Sequence, residues 1–353
     1  MAQMDGEYVP VHDLRLTYPC GEAPDANGAV EVAQGVFWLR RPLPFSLAWI
    51  NVWLLEDGDG WTLVDTGIGD TPSKKAWDDA AASVLKGRPI NRIICTHMHP
   101  DHIGCAGYLS RRYNAPLMMT PLEYITARML VADTGRQAPK EGMDFYRAAG
   151  LDDAALELYR SRFGGFGSGV TPLPESYLRL SEGDELLIGR RTWRVVLGNG
   201  HSPEHACLWE PEGKLLISGD QILPRISSNV SVHPTEPEAD PLLDWLDSCR
   251  KLRDFLPEDA LVLPAHNEPF RGVHVRLDNL LSGHQKKLDR VWSRLAEPKR
   301  VVDLYGAMFA RDIGDDPHAL AAGETLAHLH RLIGEGRVKR SVGHDGVWRY
   351  QQA

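Results

Sequence analysis

The amino-acid sequence predicts an α/β fold of layered sheets and helices, followed by a smaller C-terminal unit. Short apolar runs rich in β-branched residues alternate with helix-forming segments up to Phe270, which is typical of sheet-and-helix layers. After Phe270 the pattern changes to long amphipathic segments and a final pair of strands. A hydrophobic content of 43% and a charged content of 25% are ordinary for a globular protein and exclude a disordered or fibrous chain.

The first elements are a glycine- and proline-rich N-terminal segment and a hairpin. Residues 1–35 are predicted to be irregular. Two apolar runs flank Asp57-Gly58-Asp59-Gly60, a composition typical of a hairpin turn. In this part of the chain, strands are predicted at Ile50–Glu56, Trp61–Asp65, Ile90–Cys95 and Ala115–Thr120, and helices at Asp70–Leu85 and Ile103–Tyr113.

A helical insertion is predicted at about residues 121–169. Apolar residues recur at helical spacing from Pro121 to Arg162. The glycine-rich stretch Gly164–Gly169 predicts a flexible loop at its end. The aromatic residues of the insertion either form its own core or provide a wall for a binding cleft.

Strands return after the insertion, and a helix-rich unit with a terminal hairpin closes the chain. Strands are predicted at Thr192–Leu197, Ala206–Glu210, Leu215–Ser218 and Ala260–Leu263, with a helix at Pro241–Leu256. The final unit is predicted to comprise a linking helix at Val273–Leu295, helices at Val301–Ala310 and Pro317–Ile333, and strands at Arg337–Ser341 and Val347–Tyr350. This is the outline of a winged-helix unit. We therefore expect two domains, residues 1–272 and 273–353, as a length of 353 residues also suggests.

Charge and cysteine content narrow the class of protein. The net charge of −9 weighs against a generic polyanion binder, because phosphate neutralisation needs a basic surface. Five dispersed cysteines without a Cys-x-x-Cys motif predict a reducing compartment. The first ten residues lack the apolar stretch of a signal peptide, and no run approaches the roughly 18 apolar residues of a membrane span. We expect a cytoplasmic protein without membrane association.

A histidine-rich segment follows the strand predicted at Ile90–Cys95. Within six residues it contains His97, His99, Asp101 and His102. Neutral imidazole and carboxylate are preferred ligands of zinc, and they also suit iron or manganese. A loop that leaves a strand lets His97 and His99 point the same way, whereas a helix start turns Asp101 and His102 elsewhere. One loop can thereby serve two adjacent metal ions.

Further ligands are expected at other strand ends. Three residues directly follow a predicted strand and lie beside Gly, Ala or Pro, namely His201, Asp220 and His266. We predict that they complete the metal site. Histidines in helical or loop context are predicted to lie on the surface, for example His318, His328 and His330.

In these residues the sequence resembles the metallo-β-lactamase superfamily. The hallmark His-x-His-x-Asp-His motif and the ligands that follow it are matched in order by His97, His99, Asp101, His102, His201, Asp220 and His266. The resemblance covers about residues 30–275. It implies an αββα sandwich with two divalent metal ions, Zn²⁺ in the first place, with Fe or Mn also permitted. The tail resembles the winged-helix appendage of the branch that contains glyoxalase II-like and β-lactamase-like protein 2-like hydrolases.

Carried over residue by residue, the resemblance implies a role for each ligand. The first ion would be held by His97, His99 and His201, and the second by Asp101, His102 and His266, with Asp220 bridging both. Two adjacent cations lower the pKa of a shared water, so that a metal-bridging hydroxide exists at neutral pH and attacks a carbonyl or phosphorus. Asp101 is expected to orient this hydroxide. Asp65 would accept an imidazole N–H and fix its tautomer, or it would only stabilise its turn.

The superfamily hosts many substrates, so the resemblance implies a hydrolase and leaves its substrate open. The first hypothesis is an intracellular hydrolase of a small acyl thioester or ester, of acyl-CoA or acyl-glutathione type, with the insertion as a cap. Asn229 and His233 either touch substrate from the cleft rim or are ordinary residues of a surface loop. A lactonase would use the same hydroxide. The basic residues of the linking helix either contact an anionic part of the thiol carrier or form a solvated face, namely Lys286, Lys287 and Arg290.

The second hypothesis is a single-strand endoribonuclease. It is suggested by the winged-helix outline and by four basic residues of the tail, Arg331, Arg337, Lys339 and Arg340. Residues 299–353 carry eight basic and seven acidic side chains, a poor balance for phosphate contacts, which weighs against a nucleic-acid partner. A metal-bound scaffold without activity is a third hypothesis, against which the complete ligand set argues. The tail leucines need burial, within the chain or in a homodimer, namely Leu326, Leu329 and Leu332.

Overall fold

Two β-sheets lie face to face in the computed structural model, which describes residues 15–310, 313 and 318–353. The first sheet contains, in spatial order, β1 (Val30–Ala33), β2 (Val36–Pro42), β3 (Trp49–Asp57), β4 (Gly60–Val64), β5 (Ile90–Ile94), β6 (Leu117–Met119) and β7 (Leu178–Arg179). Strands β1 to β4 pair antiparallel, whereas β4 to β7 pair parallel. Because of this parallel pairing, β4 and β5 end at the same edge of the sheet.

The second sheet has five strands in the order β12-β11-β10-β9-β8. Their bounds are β8 (Glu185–Ile188), β9 (Arg191–Gly198), β10 (His205–Glu210), β11 (Leu215–Gly219) and β12 (Leu261–Pro264). Only the β11–β12 pair is parallel. The two sheets share a buried core between their inner faces that includes Trp38, Trp53 and Trp193.

Helices cover both outer faces. Their bounds are α1 (Thr71–Ser83), α2 (Pro100–Ile103), α3 (Ala106–Tyr113), α4 (Pro121–Ala132), α5 (Lys140–Ala148), α6 (Asp153–Arg162), α7 (Pro241–Phe255), α8 (Val273–Ser293), α9 (Tyr305–Met308) and α10 (His318–Gly334). Trp77 of α1 and Leu109 of α3 pack on the first sheet. Trp245 of α7 and Leu277 of α8 pack on the second. This helix–sheet–sheet–helix order confirms the predicted αββα sandwich.

The predicted helical insertion is present as α4, α5 and α6, but the prediction of a flexible loop after it is wrong. Residues Gly165–Gly169 form a 3₁₀ turn in which Phe166 is buried. The carbonyl of Gly169 accepts a hydrogen bond from the Gly69 N–H at 2.7 Å. A Cβ on Gly69 or Gly104 would lie within 3 Å of backbone atoms, so glycine is required there for this close packing.

The aromatic residues of α5 are part of a core that the insertion shares with the C-terminal unit. Phe145 and Tyr146 are buried in the same cluster as Leu326 and Leu329 of α10. The ring of Phe145 meets that of Trp348 edge to face, with centroids 5.5 Å apart. This core accounts for these aromatic residues, and it places the C-terminal unit against the insertion.

The C-terminal unit consists of α8, α9, α10 and the antiparallel strands β13 (Val338–Val342) and β14 (Trp348–Gln352). The helix predicted at 301–310 is a 3₁₀ turn at Val302–Leu304 followed by the short α9. The three tail leucines are buried inside the same chain, so no second subunit is needed to cover them. The surface position expected for His328 and His330 is wrong, because both are buried.

Of the described strands, β1, β2, β7 and β8 were not predicted from the sequence. Strand β1 lies inside the segment expected to be irregular, of which residues 1–14 lie outside the described residues. The two-residue strand β7 and the four-residue strand β8 lie at sheet edges and are too short to show a clear alternating pattern. All five cysteines are unpaired. Of the helices described, none is both long and apolar enough to cross a membrane.

Candidate metal centre

Strand ends bring the seven predicted ligands together at one edge of the sandwich. The segment from His97 to His102 follows β5 and opens α2. His201 follows β9, Asp220 follows β11 and His266 follows β12. The hydrogen-bonded strands end here, and loops follow. The side chains of these loops can therefore converge on one point.

Asp220 lies between two groups of histidines. Its Oδ2 is 3.4 Å from Nε2 of His201 and 4.0 Å from Nε2 of His97. Its Oδ1 is 3.5 Å from Nε2 of His266 and 3.6 Å from Nε2 of His102. The two oxygens of one carboxylate therefore face two different sets of imidazole nitrogens.

Each set is compact enough to hold one ion. Ligand atoms lie within 4.8 Å of one another in two groups, His97, His99, His201 and Asp220, and Asp101, His102 and His266. In the first, Nε2 of His97 is 2.8 Å from Nδ1 of His99. In the second, Oδ2 of Asp101 is 3.4 Å from Nε2 of His266. The side chains present thus offer two adjacent nitrogen- and oxygen-lined sites.

The inward-facing atoms of these groups have no hydrogen-bond partner among the described residues. Nε2 of His102, His201 and His266 and both oxygens of Asp220 are buried without a hydrogen bond. Buried polar atoms without partners are costly, and native proteins satisfy nearly all of them. Cations would satisfy all five atoms at once, so the residues fit a pair of divalent metal ions.

Backbone carbonyls orient two of these imidazoles. Nδ1 of His201 lies 2.7 Å from the Asn229 carbonyl oxygen, and Nδ1 of His266 lies 3.0 Å from that of Trp49. A carbonyl only accepts, so each Nδ1 carries the proton and donates it. Nε2 of each ring is left with its lone pair directed inward, which is the tautomer that a metal ligand needs.

Asp65 performs the same task for His102. It follows β4 in a left-handed conformation, with φ of 60°, and is buried. Its Oδ2 lies 2.8 Å from Nδ1 of His102, and its Oδ1 accepts the Thr96 N–H at 2.8 Å. The carboxylate therefore both orients the ring and fixes the start of the loop that contains the histidines.

The electrostatics favour a neutral His99 and an ionised Asp101. Burial and the neighbouring His201 lower the pKa of His99 to about 3, so its ring is neutral at pH 7. Burial opposes ionisation of Asp101, but the adjacent His102 and His266 outweigh it and lower its pKa to about 2. An anionic Asp101 beside neutral His99 is the state in which both can bind a cation.

Glu123 is a functional residue that sequence reasoning missed. It is fully buried at the start of α4. Its Oε2 accepts the Met98 N–H at 2.8 Å, and its Oε1 accepts the Ser202 hydroxyl at 2.6 Å and the Glu204 N–H at 2.7 Å. One carboxylate from the insertion therefore ties the loop after β5 to the loop after β9. A single glutamate in a first helical turn gives no sequence signal of this role.

His205, at the start of β10, was missed as well. Its ring stacks on that of His97, with centroids 4.7 Å apart and planes 27° apart. Its Nε2 accepts the backbone N–H of Asp220 at 3.1 Å. It thus contacts two of the seven predicted ligands, His97 and Asp220.

The predicted substrate contacts lie on the segment after Asp220. The Asn229 side chain is held by Glu324 and Ser231, while His233 is exposed. Of the basic residues on α8, Lys287 forms an ion pair with Glu324 and Arg290 donates a hydrogen bond to the Ala307 carbonyl, while Lys286 is exposed. Lys287 is therefore part of an ion pair within the chain. This differs from both roles expected from the sequence, a solvated helix face and a contact with an anionic part of the thiol carrier.

Comparison with known proteins identifies the family. The family model described as "Metallo-beta-lactamase superfamily" matches residues 50–266, which contain all seven side chains. The chain belongs to the metallo-β-lactamase superfamily. A second model, described as "Metallo-beta-lactamase-like, C-terminal domain", matches residues 288–353. The superfamily therefore accounts for both the sandwich and most of the C-terminal unit.

Relatives within the superfamily cover most of the chain. A crystal structure of a beta-lactamase domain protein from Burkholderia ambifaria is 41% identical, with a TM-score of 0.89 over 96% of this chain and 98% of that one. "Probable metallo-hydrolase YqjP" of Bacillus subtilis is 25% identical over 86% of this chain and 93% of its own length.

Two animal relatives support the predicted branch. The "Beta-lactamase-like protein 2 homolog" of Caenorhabditis elegans is 23% identical over 88% of this chain and 87% of its own length. The human "Acyl-coenzyme A thioesterase MBLAC2" is 24% identical over 72% of this chain and 86% of its own length. The chain is a metal-dependent hydrolase of the metallo-β-lactamase superfamily, as its sequence predicts.

Proposed function

We propose that this chain hydrolyses small acyl thioesters, of acyl-CoA or acyl-glutathione type, with two divalent cations at the described centre. The observation that carries the proposal is the position of Asp220, whose two oxygens face two separate sets of imidazole nitrogens. A carboxylate so placed is suited to bridge two ions. Zn²⁺ is the first candidate for an all nitrogen and oxygen ligand set, with Fe or Mn as alternatives.

Each side chain then has a defined role. The first ion would be held by His97, His99 and His201, and the second by Asp101, His102 and His266, with Asp220 shared. When bound, two adjacent divalent cations let water ionise near neutral pH and polarise a carbonyl oxygen. Asp65 and the carbonyls of Asn229 and Trp49 keep the imidazole nitrogens aimed inward.

Asp101 is the carboxylate placed to act on the attacking water. Its side chain is 13% exposed, whereas those of Asp65 and Asp220 are 1% exposed, so solvent reaches Asp101. Its low pKa keeps it anionic. It accepts a hydrogen bond from the water and orients it as the new carbon–oxygen bond forms. The carbon–sulfur bond then breaks, and the sulfur leaves as a thiol after it takes up a proton.

The thioester class is supported by the names of relatives. The human relative is named as an acyl-coenzyme A thioesterase, and it matches 72% of this chain. Asn229 and His233 are proposed as substrate contacts, because the segment after Asp220 lies beside the centre. The cytoplasm is proposed as the place of action, since all five cysteines are unpaired and four of them are buried.

The ribonuclease alternative has less support. Most of α10 is buried, so the helix is not available to enter a nucleic-acid groove. Three of the tail arginines form ion pairs with acidic neighbours, namely Arg331 with Asp240 and Glu335, Arg337 with Asp289 and Glu335, and Arg340 with Glu238. Positive charge neutralised within the chain adds little to phosphate binding.

Thiol release from a panel of acyl-CoA and acyl-glutathione thioesters tests the proposal. Metal-loaded wild type should turn over at least one thioester, and Asp101→Ala should reduce kcat about 100-fold or more. Asp153→Asn, an exposed aspartate on α6, is the matched control and should retain the activity. Metal-loaded protein that leaves all thioesters intact but opens lactones or cleaves single-stranded RNA would contradict the proposal.

A further inference from the structure

The segment of residues 221–233, here called the rim segment, lies between the metal centre and the C-terminal helices. The side chain of Arg276, on α8, donates hydrogen bonds to the carbonyls of Leu223 at 2.5 Å and Ile226 at 2.6 Å. The N–H of Val232 donates to the Gly323 carbonyl at 3.1 Å. The backbone of the rim segment is therefore held by α8 in its first half and by α10 near its last residues.

Asn229 links the rim segment to the metal centre. Its carbonyl oxygen accepts the Nδ1–H of His201 at 2.7 Å. Its side chain is held on both sides, because Oδ1 accepts the Ser231 hydroxyl at 2.6 Å and Nδ2 donates to Oε2 of Glu324 at 3.2 Å. The orientation of His201 thus depends on a residue whose own side chain is held by α10.

Glu324 is in turn held by α8. Its Oε1 lies 2.8 Å from Nζ of Lys287, and the two side chains are only 9% and 19% exposed. At such low exposure an ion pair fixes both partners, and removal of one leaves the other charge poorly compensated. A continuous chain of contacts therefore runs from Lys287 through Glu324 and Asn229 to His201.

We propose that Glu324, held by Lys287, is a positioning residue that fixes His201 through Asn229. The C-terminal unit thereby completes the metal centre, although it supplies none of the seven ligands. This inference rests on the metal-binding part of the proposed function and is independent of the substrate. Partners of metal-ligating histidines typically change metal affinity 10–100-fold when removed. Glu324 acts one residue further out, so we expect an effect near the lower end of that range.

Cobalt binding to the full chain tests the inference without a substrate. Metal-free protein is titrated with Co²⁺ against a competing chelator, and visible absorption reports the geometry around each ion. Glu324→Ala should lower the affinity for one of the two Co²⁺ ions about tenfold and change the absorption of that ion, while the affinity for the other ion stays the same. Glu324→Gln keeps an oxygen that can accept from Asn229 and should restore the affinity to within about threefold of wild type.

Two matched controls separate positioning from general stability. Lys287→Met should lower the affinity for the same ion as Glu324→Ala. The neighbouring Lys286→Met, at an exposed position, should leave the affinities for both ions unchanged. Leu329→Ala opens a cavity in the apolar core packed around α10. It should lower the melting temperature and retain both cobalt affinities.

Asn229→Ala is a second route to the same measurement, which applies also if Glu324→Ala does not fold. It keeps the carbonyl that accepts from His201 but removes the tether to Glu324, so it should weaken the same ion by a similar factor. Wild-type affinities in folded Glu324→Ala or Asn229→Ala would overturn the inference, as would an equal loss in Leu329→Ala. A wild type that fails to bind two ions would instead contradict the proposed function.

Discussion

The Nδ1 atom of His102 lies 2.8 Å from a carboxylate oxygen of Asp65, in the buried turn that follows β4. The same carboxylate accepts the backbone N–H of Thr96 at 2.8 Å. The contact therefore joins the orientation of one imidazole to the backbone that leads into all four ligands of the histidine-rich segment. Metal affinity should depend on this carboxylate, although it does not face the centre.

Asp65→Asn should weaken metal binding 10–100-fold. The variant amide can present an N–H to Nδ1 of His102, which would move the ring proton to Nε2 and block its lone pair. Metal content after dialysis against a chelator measures the effect, with the exposed Asp153→Asn as control. Wild-type metal retention in Asp65→Asn would show that the carboxylate only stabilises its turn.

Loss of Glu123 should destabilise the fold, because its carboxylate joins two of the loops that contain the predicted ligands. Glu123→Ala leaves three donors without their carboxylate, on Met98, Ser202 and Glu204, and should lower the free energy of unfolding by about 3 kcal/mol or more. Denaturant unfolding measures this loss. Glu141→Ala, at an exposed position on α5, should change stability by less than about 0.5 kcal/mol. Equal stability of the two variants would argue that water replaces the carboxylate without cost.

Removal of metal should lower thermal stability. Cations that bind only the folded chain stabilise it by about 4 kcal/mol at a concentration 1,000 times the Kd. A chelator should therefore lower the Tm of wild type by several degrees, and added Zn²⁺ should restore it. In Asp220→Asn the shared carboxylate is lost, so the chelator should have a much smaller effect. A Tm that is insensitive to chelator in metal-loaded wild type would speak against cations at the centre.

The contact between the insertion and the C-terminal unit should contribute strongly to stability. Phe145 is 6% exposed and packs against Trp348, so Phe145→Ala should lower the free energy of unfolding by about 3–5 kcal/mol. Leu122→Ala on α4, where Leu122 is 47% exposed, is the apolar control and should have little effect. A small loss in Phe145→Ala would mean that the two units are only loosely joined.

The strand-end ligands could be predicted because each gives a local signal. A short apolar run followed by His or Asp indicates a side chain at the edge of a sheet, and His97, Asp220 and His266 all have this pattern. The alternation of short apolar runs with helix-forming segments predicted layers of sheets and helices, and the αββα order of the layers came from the resemblance to the superfamily. The 3.6-residue periodicity gave the helices of the insertion in the same way.

Residues whose role depends on distant contacts gave no such signal. Glu123 binds groups more than 70 residues along the chain, and it stands in the first turn of an ordinary helix. The helical context of His328, away from any strand end, predicts a surface position. In the fold it is buried beside His284, with their ring centroids 5.3 Å apart. Burial at such positions follows from which elements meet, which local patterns do not encode.

Anomalous diffraction at the zinc edge, from crystals of the metal-loaded chain, would locate the bound ions directly. We expect two peaks, one beside Oδ2 of Asp220 among His97, His99 and His201, and one beside Oδ1 among Asp101, His102 and His266. Data from crystals of Asp220→Asn, grown in the same way, should show at least one weakened peak. A single peak in wild type, or peaks away from Asp220, would contradict a carboxylate shared between two ions.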